Sequence, residues 1–131
     1  MEKVREGMDP KYLDLIRLLP CIVTGRRGPS DPHHLMRVDA TARGMSLTTT
    51  DRWALPFCRD EHDKVQRAGV GEEAHLAALG IDGRGLATTL WETRGKGLDA
   101  MYRIVWNSLQ KRGIHIEYDP PEIIMKRTRY V

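Results

Sequence analysis

Little in this chain is extreme, and each shortage closes off a class of protein. It has two cysteines, Cys21 and Cys58, in 131 residues. Two are too few for a disulfide-stapled scaffold, and a reducing compartment would keep them as thiols. No apolar run approaches the roughly 18 residues of a membrane span, so no membrane partner is expected. The opening residues lack an apolar stretch followed by a small-residue cleavage site, which points to a cytoplasmic protein. There is no internal repeat and no low-complexity segment. Charge of one sign is not in large excess: the formal net charge is +3 and the pI is ≈ 9.0. That surplus is compatible with a polyanionic partner without requiring one. What is present, 40% hydrophobic and 30% charged residues, reads as one globular domain over residues 1–131, since a second core would be hard to fill.

Basic residues gather at two places. Arg26, Arg27, Arg37 and Arg43 bracket the pair His33-His34, and Lys126, Arg127 and Arg129 give a basic tail. A solvated surface accounts for them as well as a nucleic-acid contact does.

Periodicity and chain breakers predict the elements. Residues 10–19 read as a helix, with Asp9 to cap it, Pro10 at its first position, and Tyr12, Leu15, Ile16 and Leu19 on one face. Residues 21–25, apolar and closed by Gly25, read as a strand leading into a turn. A second strand is expected over 33–38, a loop over 40–50 and an extended lead-in over 51–56. A helix runs from about Cys58 to Ala68, stopped by Gly69. Further helices are predicted over 72–79, 86–94 and 98–112, the last with Leu98, Met101, Tyr102, Val105 and Leu109 on one stripe. Residues 114–118 alternate like an edge strand, which Pro120-Pro121 breaks. Few strands among more helices make the class α+β.

The chemistry-bearing residues lie in the first half. Adjacent residues on a strand face opposite ways, so His33 and His34 suit a division of labour. His62 falls inside the helix after Cys58, and Gln66, four residues on, shares its face, a common arrangement for holding a metal. In order, the motifs are Cys21-Ile22-Val23-Thr24-Gly25, Asp31-Pro32-His33-His34-Leu35, Gly44-Met45 through Asp51, Leu55-Pro56-Phe57-Cys58, Glu61-His62 with Gln66, and Arg67-Ala68-Gly69. This order resembles the HNH nuclease family, in particular its small phage and prophage members, over roughly residues 12–70.

The resemblance implies a ββα-metal (HNH/His-Me finger) core over about 12–70, with a helical extension over about 71–131. It implies a metal-dependent endonuclease hydrolysing phosphodiester bonds in DNA. His33 and His62, with Gln66, would hold a divalent ion, Mg2+ or Mn2+ before Zn2+ or Ni2+. His34 would activate water, and an imidazole titrates in the range where a base is most useful. Asp51 would orient His34 or the substrate loop.

Two positions depart from the family pattern. Gln66 stands where histidine is expected, and its amide oxygen suits a hard ion. The four positions of the family's structural zinc read Cys21, Thr24, Cys58 and Glu61, an incomplete set for a closed tetrahedral site, so no structural zinc is expected. The alternative is a catalytically degenerate module of the same shape, binding nucleic acid or serving phage assembly or recombination. Retention of both His33 and His34 favours the hydrolytic reading. His75 and His115 are expected to be ordinary surface or core residues, Trp53 and Trp91 core, and Met45 packing.

Overall fold

A computed structural model describes residues 7–36 and 50–128. In chain order it has α1 (Pro10–Leu18), β1 (Asp31–His34), β2 (Ala54–Phe57), α2 (Arg59–Ala68), α3 (Glu72–Ala78), α4 (Gly83–Thr93), α5 (Leu98–Lys111) and α6 (Pro121–Thr128). Short 3-10 turns lie at Asp51–Trp53, Gly69–Gly71 and Arg94–Lys96. The class is α+β: helices set around one antiparallel pair of strands. No helix among the described residues is long and apolar enough to cross a membrane.

Local chemistry explains most boundaries. The Asp9 carboxylate accepts the Tyr12 N–H at α1, Pro10 takes the first helical position, and Leu19 is extended ahead of Pro20. Gly69, at φ 53, ends α2, a conformation that favours glycine. Asp82 caps α4 by accepting the Gly85 N–H, so that helix starts three residues before the predicted 86. Its opening turn holds two glycines and shows no apolar periodicity, so only the cap marks it.

The strands differ from expectation. Residues 21–25 form a turn, not a strand, closed by Gly25 N–H donating to Cys21 O at 2.8 Å, with Gly25 at φ 78. The first strand of the sheet is instead β1, which begins at Asp31 and stops at His34. The predicted second strand ran on to Arg37 and Val38, which lie outside the described residues, as do Arg43, Met45 and most of the predicted loop over 40–50. The register pairs Asp31 with Phe57, Pro32 with Pro56, His33 with Leu55 and His34 with Ala54. Two prolines face each other without loss to the ladder if theirs is the pair whose N and C=O point outward. Pro56 O does point outward: it accepts Ile22 N–H at 3.1 Å, tying the preceding turn to the sheet edge.

Residues 114–118 alternate inward and outward as read, yet they pair with helix α5 and not with a strand. Trp106 Nε1–H donates to Ile116 O (3.0 Å) and Tyr102 O–H to Glu117 O (3.2 Å). Pro120-Pro121 does not simply break the chain. Pro121 begins α6, and Ile124 from that helix is buried.

The apolar core is one cluster, running from Tyr12, Ile16 and Leu19 through Leu35, Leu55 and Phe57 to Leu90, Met101, Val105, Leu109 and Ile124. Arg112, just past α5, fastens the far end to the near one. Its Nε donates to Leu79 O (2.9 Å), Nη1 to Ile22 O (2.7 Å) and Nη2 to Val23 O (3.1 Å). Burial pulls the Arg112 pKa below the usual guanidinium range.

Candidate functional site

β1 presents its two histidines to opposite sides. His33 is buried and His34 is partly open. Each is bound to a carboxylate from elsewhere in the chain. His33 Nε2–H donates to Glu72 Oε1 at 2.8 Å, and Glu72, the first residue of α3, is 1% exposed. The other oxygen of Glu72 accepts the Met36 N–H, so the carboxylate also holds the chain leaving β1. His34 Nε2–H donates to Asp51 Oδ1 at 2.8 Å. Asp51 opens the 3-10 turn before β2 and is itself buried. Its Oδ2 accepts the Asp9 N–H (2.6 Å) and its own N–H donates to Gly7 O (2.9 Å).

His62 is on α2, one turn in from Cys58, where the strand-to-helix junction turns it back over β1. His62 Nδ1–H donates to Asp31 Oδ2 at 3.1 Å, and Arg59 Nε lies 3.4 Å from the same oxygen. The rings of His33 and His62 meet edge to face, 5.3 Å between centroids, and both touch Phe57. Gln66, one turn further along α2, is exposed.

Because a carboxylate can only accept, a neutral ring making such a bond carries its lone pair on the other nitrogen. That is Nδ1 on His33, Nδ1 on His34 and Nε2 on His62. An imidazole whose other nitrogen donates to a carboxylate is the usual form of a metal-binding histidine, and His33 and His62 each have such a carboxylate partner. The donor set is sparse: among the described residues no three His, Cys, Asp or Glu side chains are grouped to hold one. Water, phosphate oxygens or an amide oxygen would have to complete the ion's shell.

Sequence reasoning singled out His33, His34, Asp51, His62 and Gln66. It missed Glu72 and Asp31. Asp31 carried a signal, since strand alternation puts it on the His33 side. Glu72 carried none: a glutamate opening a short helix after Gly71 reads as a solvated first-turn residue.

Of the four positions matched to a zinc site, Cys21 and Thr24 adjoin Cys58. Thr24 Oγ1 is 4.0 Å from Cys58 Sγ, and both thiols are free and buried. Burial pushes the Cys58 thiol up, the Glu61 N–H opposes this, and the adjacent Cys21 thiol adds to the rise. Glu61 is committed to Lys64 at 3.0 Å. Elsewhere, His75 is half-buried on α3, and His115 is exposed against Gln110. Trp53 and Trp91 are half-buried against the core.

One protein family, described as "Protein of unknown function (DUF968)", matches residues 1–78. No curated protein and no solved structure matches the chain.

Proposed function

The chain belongs to the DUF968 family, and we propose that this member is a divalent-metal-dependent endonuclease acting on DNA, built on a ββα-metal core. The observation that carries the reading is the His34–Asp51 hydrogen bond set on the strand that also brings His33 against His62. His34 is held by the Asp51 carboxylate on one side of β1, and His33 and His62, each braced by a carboxylate of its own, lie on the other.

Each residue has a task in phosphodiester hydrolysis. Asp51, fixed by Asp9 N–H, holds the proton on His34 Nε2. His34 Nδ1 then removes a proton from water as the water oxygen bonds to phosphorus and the bond to the leaving oxygen breaks. His33 and His62 would hold the divalent ion, their tautomers set by Glu72 and Asp31. When bound, that ion neutralises phosphate charge and stabilises the leaving oxygen. Gln66, exposed on the same helix, would offer a weaker oxygen donor.

The test is nicking of supercoiled plasmid by purified protein with Mn2+. Activity should vanish with a chelator, and His34→Ala should cleave at least ~100-fold more slowly, with Mn2+ affinity kept. Raising the pH should restore part of the loss, because hydroxide replaces the imidazole. Cleavage by the variant at the parental rate would remove His34 from the mechanism.

A second reading is favoured by the Glu72–His33 pair. Two nearly fully buried groups pin β1 to α3, a purely architectural service that needs no ion. A non-catalytic DNA-binding or assembly module would keep this pair while showing no metal-dependent nicking.

A further inference from the structure

Beside Asp51 lies a charged feature that the chemistry above does not use. Arg52 follows Asp51 in the same 3-10 turn. Its guanidinium lies over the Trp53 ring, 4.4 Å from the centroid, and Nη2 donates to Thr88 Oγ1 on α4 at 3.3 Å. Arg94, just past the end of α4, lies over the Trp91 ring at 3.7 Å, and Nη1 donates to Trp91 O at 2.6 Å. Trp91 meets Tyr12 edge to face at 5.0 Å. The Tyr12 hydroxyl, pushed up by burial, is within electrostatic reach of Arg94, Asp9, Arg52 and Asp51, so the two guanidiniums share one neighbourhood.

Asp51 and Asp9, two acids of this neighbourhood, are already committed. Asp51 accepts from His34 and from Asp9 N–H. Asp9 caps α1 and stands 3.8 Å from Arg94 Nε, too long for a tight pair. Arg52 forms no ion pair among the described residues, its Nε is buried with no hydrogen-bond partner there, and Nη1 is the terminal nitrogen not given to Thr88. Lys96, exposed in the turn after Arg94, extends the positive charge. A guanidinium held flat on an indole has lost much of its rotamer freedom, so a second ligand orders it cheaply, and its planar fork matches phosphate oxygens.

We propose that this cationic and aromatic face, Arg52 on Trp53 and Arg94 on Trp91, carries the DNA backbone past the His34–Asp51 dyad. The guanidiniums take phosphate oxygens from neighbouring nucleotides. The inference rests on DNA being the substrate. Contacts of this kind position a duplex without reading its sequence, so the binding they supply is steeply salt-dependent.

The experiment uses full-length protein, a labelled duplex of random sequence and a chelator, so that no cleavage occurs. Affinity is followed against NaCl concentration, with tryptophan fluorescence as a second signal. The parent should bind with log K falling linearly in log salt, and DNA should quench its fluorescence. In the double variant Arg52→Ala, Arg94→Ala the slope should shrink by about 2, close to one for each phosphate left without its guanidinium. Affinity at low salt should fall at least about 10-fold. Arg94→Ala alone, an exposed change that leaves Arg52 in place, should take about half of the slope change. Arg103→Ala, which removes a cation paired with Asp99 on α5, should change nothing. An unchanged slope in the double variant, an equal change in Arg103→Ala, or no DNA binding by the parent each overturns the proposal. Plasmid nicking judges the hydrolytic reading separately. DNA binding that depends on Arg52 and Arg94 without any nicking keeps this face and removes the catalysis.

Discussion

The segment from Cys21 to Glu72 and the helices after it use burial in opposite ways. Around β1, buried positions go to His33, Asp51, Glu61 and Glu72 as well as to Leu35, Leu55 and Phe57, beside the free thiols Cys21 and Cys58. Along α4 and α5 they go to Ala87, Leu90, Leu98, Met101, Tyr102, Val105 and Leu109. Burying a polar group costs free energy unless it is hydrogen-bonded, and a charge costs more. The first region meets that cost with short bonds, His33 to Glu72 and His34 to Asp51, both at 2.8 Å. The second avoids the cost and supplies dry contact area. A chain this small can hold a polar cluster in its interior because a neighbouring apolar helix pair stabilises the whole.

If the two regions divide the labour, their variants should fail differently. The largest effect on stability is expected from Met101→Ala, at a fully buried position of α5. It should destabilise by about 2–5 kcal/mol. Denaturant unfolding should register this, while nicking per folded molecule stays parental. A loss of specific activity in the folded fraction would mean the helix pair does more than support. Glu72→Ala should come next, with about 1–3 kcal/mol lost because His33 is left buried without its acceptor. It should also weaken Mn2+ binding roughly 10–100-fold by calorimetry, since His33 loses the partner that sets its tautomer. Equal metal affinity would make Glu72 architectural only and would favour the non-catalytic reading.

The smallest effect should appear in alkali. Burial first, and then the hydrogen bond to Asp99, push the Tyr118 hydroxyl up from 10.0 to about 12. Cys58 is shifted upward too. A folded pKa above the unfolded one means that the folded state holds its proton longer. The associated stability is therefore complete below the unfolded value and is lost as pH rises toward the folded one. Unfolding midpoints should be flat at neutral pH and fall from about pH 9, where the unfolded Cys58 thiol ionises, to about pH 12. In Tyr118→Phe that fall should be shallower. An identical alkaline profile would assign the effect to other groups.

Legibility in the sequence followed the range of the physics. Asp9, Pro10 and Gly69 act within a turn of themselves, so the ends of α1 and α2 could be read closely. The α5 stripe acts through a helical period that the sequence displays directly. Errors came where a distant partner decides. Cys21 to Gly25 has strand-like residues, but the Gly25 to Cys21 bond curls them into a turn, and Ile22 to Pro56 is the bond that ties it to the sheet edge. Residues 114–118 alternate because Ile114, Ile116 and Tyr118 pack against the apolar core. At the site, the histidines and Asp51 stood out by type and spacing. Glu72 is 39 residues from the histidine it meets, a contact that no local pattern encodes. Helix α6 was hidden by reading Pro120-Pro121 as a stop when Pro121 is a helix start.

The Arg112 clamp has a consequence for synthesis. Ile22 O waits for a donor 90 residues further along the chain. At ordinary elongation rates that delay is roughly 5–20 s. By its end β1 and its histidines have long been synthesised, with the turn that leads into them still unfastened. The turn at Ile22 and Val23 is therefore completed only once α5 and Arg112 have been made.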